Sequence, residues 1–348
     1  MKANKWGLLR VIAALSIVAI FTGGMHELRK GGSAVADFPC GSNSGSNSGN
    51  EVTIAIGQGD TGSDIAQQLF SKKVTKSAAV FFRLAVGDER SQKIAPGSHR
   101  IQTTLCAKDA LAQLLDPKRI ADLINIFEGA WNSDVVAQMT ASGFTPADIK
   151  RAFNSVELPS GFKNLEGLLF PAQYSFAAGT SARTALNAMV ERGKLEVTKS
   201  GIAAGSGKYS PQQLLIIASI VQAEADTKDF AKVSRVIRNR LEKGMPLQMD
   251  STVHFLKKVR GKIFLSTSST FLQSKYNTYR NYGLPPGPIG NPGAAAMRAA
   301  VSPEPGDWIF FITVAPGDTR FTSENAQFNL WKAEYKKNLR AGAFGSAK

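Results

Sequence analysis

The run Leu214-Leu215-Ile216-Ile217-Ala218-Ser219-Ile220-Val221 constrains this chain more than any other stretch. Ser210, Pro211 and Gln213 precede it, as N-cap, first helical residue and third residue of a capping-box start. The helix so begun is apolar on nearly every face, so protein must surround it. A chain of 348 residues, 43% of them hydrophobic, is long enough for one large core or two moderate ones.

Glu224 follows one turn after Ile220 and two turns after Ile217, on the same face. A carboxyl there sits against an apolar wall and near a helix C-terminus, where the dipole disfavours negative charge. Both effects raise its pKa. A carboxylic acid that keeps its proton near neutral pH can protonate a leaving oxygen. The alternative is a helix-end glutamate turned to solvent. Gln222 and Asp226 point elsewhere on the helix, so no local second carboxylate pairs with Glu224. Glu166 and Asp250 are distant candidates.

Gln248, Asp250 and Thr252 alternate and are expected to share one face of an extended segment. They line a groove for a sugar or belong to an ordinary half-buried strand. Asn277 and Tyr279 lead into the rigid loop Gly283-Leu284-Pro285-Pro286-Gly287-Pro288-Ile289. An aromatic beside such a loop suits a saccharide-binding wall, and equally a structural loop.

Lys2, Lys5 and Arg10 precede the apolar run 11–21, which reads as a signal peptide or a single membrane anchor. Ala34-Val35-Ala36 resembles a cleavage site but lies far beyond the run, so an uncleaved anchor over 1–30 is preferred. Either reading places the bulk of the chain outside the cytoplasmic membrane. Residues 31–50 are rich in Gly and Ser and read as an extended linker.

Beyond it, strands are expected at 52–56 and 97–102, with helices at 64–72, from Ser77, and at 108–115. From residue 120 come a strand at 123–127 and helices at 132–142 and 146–153. Further helices are expected at 230–243 and 294–301, then a strand at 308–314 and a basic terminal helix.

Lys and Arg total 42 against 27 Asp and Glu, a formal net charge of +15. That favours an anionic partner. The basic residues are spread out and carry no nucleic-acid-reading motif, so nucleic acid is not expected. Cys40 and Cys106 form no CxxC pair and the three histidines lie far apart, so no metal site or cofactor is expected. A disulfide is open to an exported chain but gains little weight from such low cysteine usage.

Several separated motifs agree with one family. Leu165-Glu166-Gly167-Leu168-Leu169-Phe170-Pro171, Ala218-Ser219-Ile220-Val221-Gln222-Ala223-Glu224-Ala225, Asn239-Arg240-Leu241, Met245-Pro246-Leu247-Gln248-Met249-Asp250, Tyr276-Asn277-Thr278-Tyr279 and the Gly283–Ile289 loop resemble the YceG-like endolytic murein transglycosylases. The turn Phe127-Glu128-Gly129 fits as well. The likeness runs from about residue 50 to the C-terminus.

The resemblance implies an α+β protein. A LysM-like βααβα subdomain would span 51–119, and a mixed α/β catalytic domain with a buried, acid-bearing helix would span 120–348. It implies a lyase that cuts MurNAc–GlcNAc bonds within peptidoglycan strands and leaves 1,6-anhydro ends. Glu224 would be the catalytic residue, with Glu166, Gln248, Asp250, Asn277 and Tyr279 as substrate-binding supports. Peptidoglycan synthases would be partners, at the cytoplasmic membrane. A non-catalytic wall-binding scaffold and a hydrolytic muramidase are the alternatives. The sequence departs from the family at Gln222, where a second glutamate is common, and at Ser251, where proline is usual. It departs again at Ala172-Gln173, before Tyr174, and at Gln327-Phe328-Asn329.

Overall fold

The computed structural model describes residues 37–41, 50–57, 59–121, 123–176, 179–260 and 266–344. The expected anchor over 1–30 and the Ala34-Val35-Ala36 site lie outside the described residues. Among the described residues no helix is long and apolar enough to cross a membrane. The chain divides into two compact units, one running to Ala121 with Ser175–Ala178, the other comprising Asp122–Tyr174 and Gly179–Lys348.

In the first unit, β1 (Glu51–Ile56) pairs antiparallel with β2 (Gly97–Gln102), and β2 with the short β3 (Ile120–Ala121). Alternation places Ile54 and Ile56 on one face of β1, where both are buried. Among the described residues three α-helices belong to this unit: α1 (Gly62–Ser71), α2 (Ala78–Gly87) and α3 (Ala107–Leu114). Leu69, Phe81, Leu111 and Leu114 from these helices share a core with Ile54 and Ile101. Each of the first two helices starts on a local cap. Thr61 and Asp64 form a capping box, and the Ser77 hydroxyl accepts from Val80 N.

Helix α3 is capped differently. Cys106 stands at its N-cap without a side-chain cap hydrogen bond. Asp37 supplies the missing acceptor, its Oδ2 taking the Ala107 N–H at 2.8 Å. Cys40 is bonded to Cys106 in a disulfide, and Gly41 N donates to Asp109 Oδ2 at 3.0 Å. The linker reading over 31–50 is therefore corrected at 37–41: this stretch is fastened to α3.

The second unit is built around the helix expected from its apolar run. It spans Pro211–Glu224 (called α7 after its place in the chain), with Ser210 and Gln213 forming the capping box. Leu214 to Val221 are all buried. Around it pack α8 (Phe230–Glu242), α9 (Asp250–Lys257) and α10 (Ala294–Val301). Ahead of it come α4 (Asn132–Ala141), α5 (Pro146–Ser155) and α6 (Ala182–Lys199). A hairpin of β6 (Phe310–Ala315) and β7 (Asp318–Thr322) follows, with the terminal helix α11 (Asn325–Arg340) against it.

The expected strand at 123–127 is cut to β4 (Ile124–Asn125), which pairs with β5 (Gln173–Tyr174). Past it the chain turns: Ala130 N bonds Phe127 O at 3.0 Å, and Gly129 takes φ +79°. Gln248, Asp250 and Thr252 do not share an extended face. Gln248 sits alone at φ +49°, and Asp250 begins α9. Helix α6 had no sequence expectation. Its signal was present, since Ser181 caps it and Ala185, Leu186, Met189 and Val190 recur at helical spacing on its buried face.

Candidate active site

Glu224 is the last residue of α7, and Ala225 leaves the helix in an extended conformation. Its half-buried side chain lines a cleft of about 440 Å³ in the second unit. Burial raises its pKa above the usual carboxylate value; hydrogen bonding by Ser251 and the charge of His254 oppose this, while Asp250 adds to it. Ser251 N donates to Glu224 Oε1 at 3.0 Å. That N–H belongs to the first turn of α9 and has no partner within its own helix. A neighbouring helix end thus keeps in place a carboxyl whose pKa lies above the usual value, which suits general acid work.

Support for α9 comes from the loop after residue 275. Asn277 is fully buried, and its Nδ2 donates to Thr270 O and Leu272 O at 3.0 and 2.8 Å. Its Oδ1 accepts from Tyr279 N at 3.0 Å. The Tyr279 hydroxyl in turn donates to Asp250 Oδ1, at the start of α9. Burial first, then the bond to Asp250, raises the Tyr279 pKa. Thr278 Oγ1 accepts from Met249 N at 3.0 Å, and Thr278 O from Gln248 N at 3.0 Å. The expectation that Asn277 touches substrate is corrected: its amide is enclosed and holds the loop that presents Tyr279.

Of the site residues expected from sequence, Glu224 and Asp250 line the cleft together. Gln248, Tyr279 and Glu166 are not among the lining residues. Gln248 is exposed. Glu166 accepts the Asn132 N–H with both oxygens, at 3.0 and 3.3 Å, and so caps α4 from a distance. Burial pushes its pKa up to about 7 against that hydrogen bond and the nearby charge of Lys258.

The cleft also holds residues that sequence reasoning missed. Glu128, on the turn after β4, lines it as a further carboxylate. Its carboxyl lies directly over Gly293, where an added Cβ would stand 2.0 Å from Glu128 Oε1. Gln222 also lines the cleft, correcting the reading that it points elsewhere, and its Oε1 accepts from Gly293 N at 2.9 Å. Trp131, His254 and Arg260 complete the polar and aromatic part of the wall. The Glu-Gly pair at 128–129 was the only signal, a turn after an apolar strand.

The Asn239-Arg240 motif is structural. Asn239 Nδ2 donates to Gly306 O and Trp308 O at 3.1 and 2.8 Å, and Arg240 Nε to Ile309 O at 2.6 Å. One group of metal-type ligands comes together among the described residues, Cys40, Cys106 and Asp109. Its two sulfurs are joined to each other, so neither is a thiolate.

Comparison with known proteins gives a consistent picture. The model of the YceG-like family matches residues 54–334. An endolytic murein transglycosylase of Bacillus subtilis (strain 168) is 36% identical over 174 residues, covering 49% of this chain and 48% of that protein. One from Streptococcus pneumoniae serotype 2 (strain D39 / NCTC 7466) is 26% identical over 327 residues, covering 83% of this chain and 59% of that protein. The chain thus spans about half the length of the first of these relatives. A yceG-like protein of Listeria monocytogenes, seen in a crystal structure, matches with a TM-score of 0.54 and 26% identity. That match covers 80% of this chain and 98% of that one.

Proposed function

We propose, from the premise that the chain belongs to the YceG-like family, that it is an endolytic lytic transglycosylase of peptidoglycan with Glu224 as its acid–base residue. One observation carries this reading: a half-buried carboxyl with a raised pKa lines the cleft and is held by Ser251 N.

The chemistry asks one carboxyl to act twice. Glu224 as acid gives its proton to the oxygen linking MurNAc C1 to the next GlcNAc, and the C1–O bond breaks. The resulting carboxylate then takes the proton of the muramyl C6 hydroxyl as O6 bonds to C1. A 1,6-anhydro ring forms and Glu224 regains its proton. No water is consumed, so the two-carboxylate geometry of hydrolytic glycosidases is not required. Asp250 and Tyr279 hold the start of α9, and through it Ser251, while Asn277, Glu166 and Gln248 shape the surrounding loops.

The first unit, with its order strand, helix, helix, strand, helix, supports a LysM-like wall-binding role for 51–119 beside a catalytic region over 120–348. We place the chain at the cytoplasmic membrane, anchored through residues 1–30, with its folded units outside the cytoplasm. The disulfide of Cys40 and Cys106 agrees with an oxidising compartment. Release of growing strands beside peptidoglycan synthases is the role this location suits.

A hydrolytic muramidase is the second reading. Glu128 and Asp250 favour it, because both line the cleft with Glu224 and a carboxylate there would activate water. Digestion of purified peptidoglycan by the full chain and by Glu224→Gln, with products read by mass spectrometry, separates the readings. Anhydro ends from the unaltered chain alone support the transglycosylase. Reducing ends mean hydrolysis. Absence of any product, with wall binding retained in both, means a scaffold.

A further inference from the structure

Beside the Glu224 cleft runs a row of aromatic rings. Trp131 meets Phe255 edge-on at 5.9 Å between centroids, and Phe255 meets Tyr276 at 5.3 Å. Two cations cover this row. Lys258 Nζ stands 3.9 Å from the centre of Phe255 and 5.3 Å from that of Trp131. The Arg260 guanidinium lies 3.9 Å from the centre of Trp131 and 4.9 Å from that of Phe127. Trp131 and Arg260 both line the cleft.

The arrangement decides what kind of ligand it can meet. Bare aromatic faces at a saccharide cleft stack on neutral sugar rings. Here cations lie over Trp131, Phe255 and Phe127, so the surface offers charged N–H donors. Arg260 is fixed in position, since its Nη2 donates to Gly129 O at 3.0 Å and to Asp134 at 2.7 Å. With its Cζ 3.9 Å from the indole centre and only Nη2 engaged by Gly129 O and Asp134, the guanidinium keeps further N–H donors for a carboxylate.

The end of α9 fixes where Lys258 stands. It is the C-cap residue of α9, at φ +54° and ψ +40°. This left-handed position favours glycine, and a lysine there is strained.

We propose that Lys258 and Arg260 form a subsite for a carboxylate borne by the glycan bound in the cleft. The inference rests on the peptidoglycan reading above and narrows it. In such a strand the carboxylate is either the lactyl group of a peptide-free muramyl residue or a carboxylate of its peptide.

The test uses the full chain carrying Glu224→Gln, which binds without turnover. Three oligosaccharides of equal length are titrated: a neutral N-acetylglucosamine oligomer, a peptide-free muramyl oligomer and a peptide-bearing one. The proposal expects at least one acidic oligomer to bind about tenfold more tightly than the neutral one, with the gap shrinking as salt rises. Whichever acidic oligomer gains identifies the carboxylate. Lys258→Gly, which relieves the left-handed strain, should narrow the gap severalfold while leaving thermal stability equal or higher. Equal affinity for neutral and acidic oligomers overturns the proposal, as does a Lys258→Gly protein that keeps the full gap. Failure of the unaltered chain to cut peptidoglycan would instead strike the functional reading, and leaves this comparison of affinities standing by itself.

Discussion

The backbone N–H of Ser251 points at Glu224 Oε1 from 3.0 Å, so the first turn of one helix holds the acid at the end of another. Two effects compete there. The hydrogen bond favours the carboxylate, burial favours the acid, and burial prevails. Activity that needs the protonated form should therefore persist above the ordinary glutamate range and fall on the alkaline side. Glu224→Gln should lose about 10²–10⁴-fold in turnover. Stability carries the same sign. A folded pKa above 4.5 means that stability is full below that value and is lost as pH rises through the folded pKa. Glu224→Gln should then be more stable than the unaltered chain at alkaline pH. Denaturant titrations across pH check this, and identical pH dependence of the two proteins would sink it.

Glu166 gives a prediction with a defined window. Its carboxyl is pushed from 4.5 up to about 7, burial outweighing the Asn132 hydrogen bond. The folded chain holds a proton there that the unfolded chain releases, so stability falls as pH rises from 4.5 towards about 7. Glu166→Gln keeps an acceptor for Asn132 N and should flatten that fall. Glu166→Ala removes the cap of α4 and should cost about 1 kcal/mol even at low pH. Equal stability of the alanine and glutamine forms at low pH would show that the cap contributes nothing.

What was legible in the sequence was local. Ser210, Pro211 and Gln213 announce α7 because the chemistry that starts that helix lies within four residues. The apolar turns behind Glu224 likewise announce a raised pKa. Helix α9 was misread as extended because its start has no cap of its own: Met249 makes no side-chain cap bond, and Thr278 accepts its N–H from far along the chain. Asp37 capping α3 from a separation of 70 residues escaped for the same reason. Glu128 and Arg260 reach the Glu224 cleft only through the fold; the Glu-Gly turn at 128–129 hints at the first, and nothing near Arg260 in sequence marks the second.

Asn291 is another residue whose importance only the fold discloses. It is fully buried, and its Oδ1 accepts from Gly167 N and from Leu169 N, both at 2.9 Å. Its Nδ2 donates to Ala130 O at 2.8 Å. One side chain therefore ties the loop after Glu166 to the turn that carries Glu128. Asn291→Ala would strand the buried N–H groups of Gly167 and Leu169, each worth about 1–3 kcal/mol, while Ala130 O keeps the backbone N–H of residue 291, and should destabilise the second unit by about 2 kcal/mol or more. Asn291→Asp keeps the acceptor but loses the donor and buries a charge, so it should fare little better. Denaturant midpoints within about 1 kcal/mol of the unaltered chain would refute this role for the residue.

The stretch 37–41 is held to α3 by the disulfide and by Asp37. The disulfide closes a loop with a sequence separation of 66. By chain entropy such a loop is worth up to about 4 kcal/mol, with about 2 kcal/mol a reasonable lower figure after relaxation. The Asp37 bond to Ala107 N depends on it, because without the covalent link the arm must order itself to reach α3. Reduction, or Cys40→Ser with Cys106→Ser, should therefore destabilise the first unit and speed hydrogen exchange at Ala107. Asp37→Ala with the disulfide intact should speed exchange at Ala107 alone and cost about 1 kcal/mol. The core of the second unit, around Leu214 to Val221, contains none of these groups and should exchange as before. Unchanged exchange at Ala107 after reduction would mean that Asp37 finds its place without the disulfide.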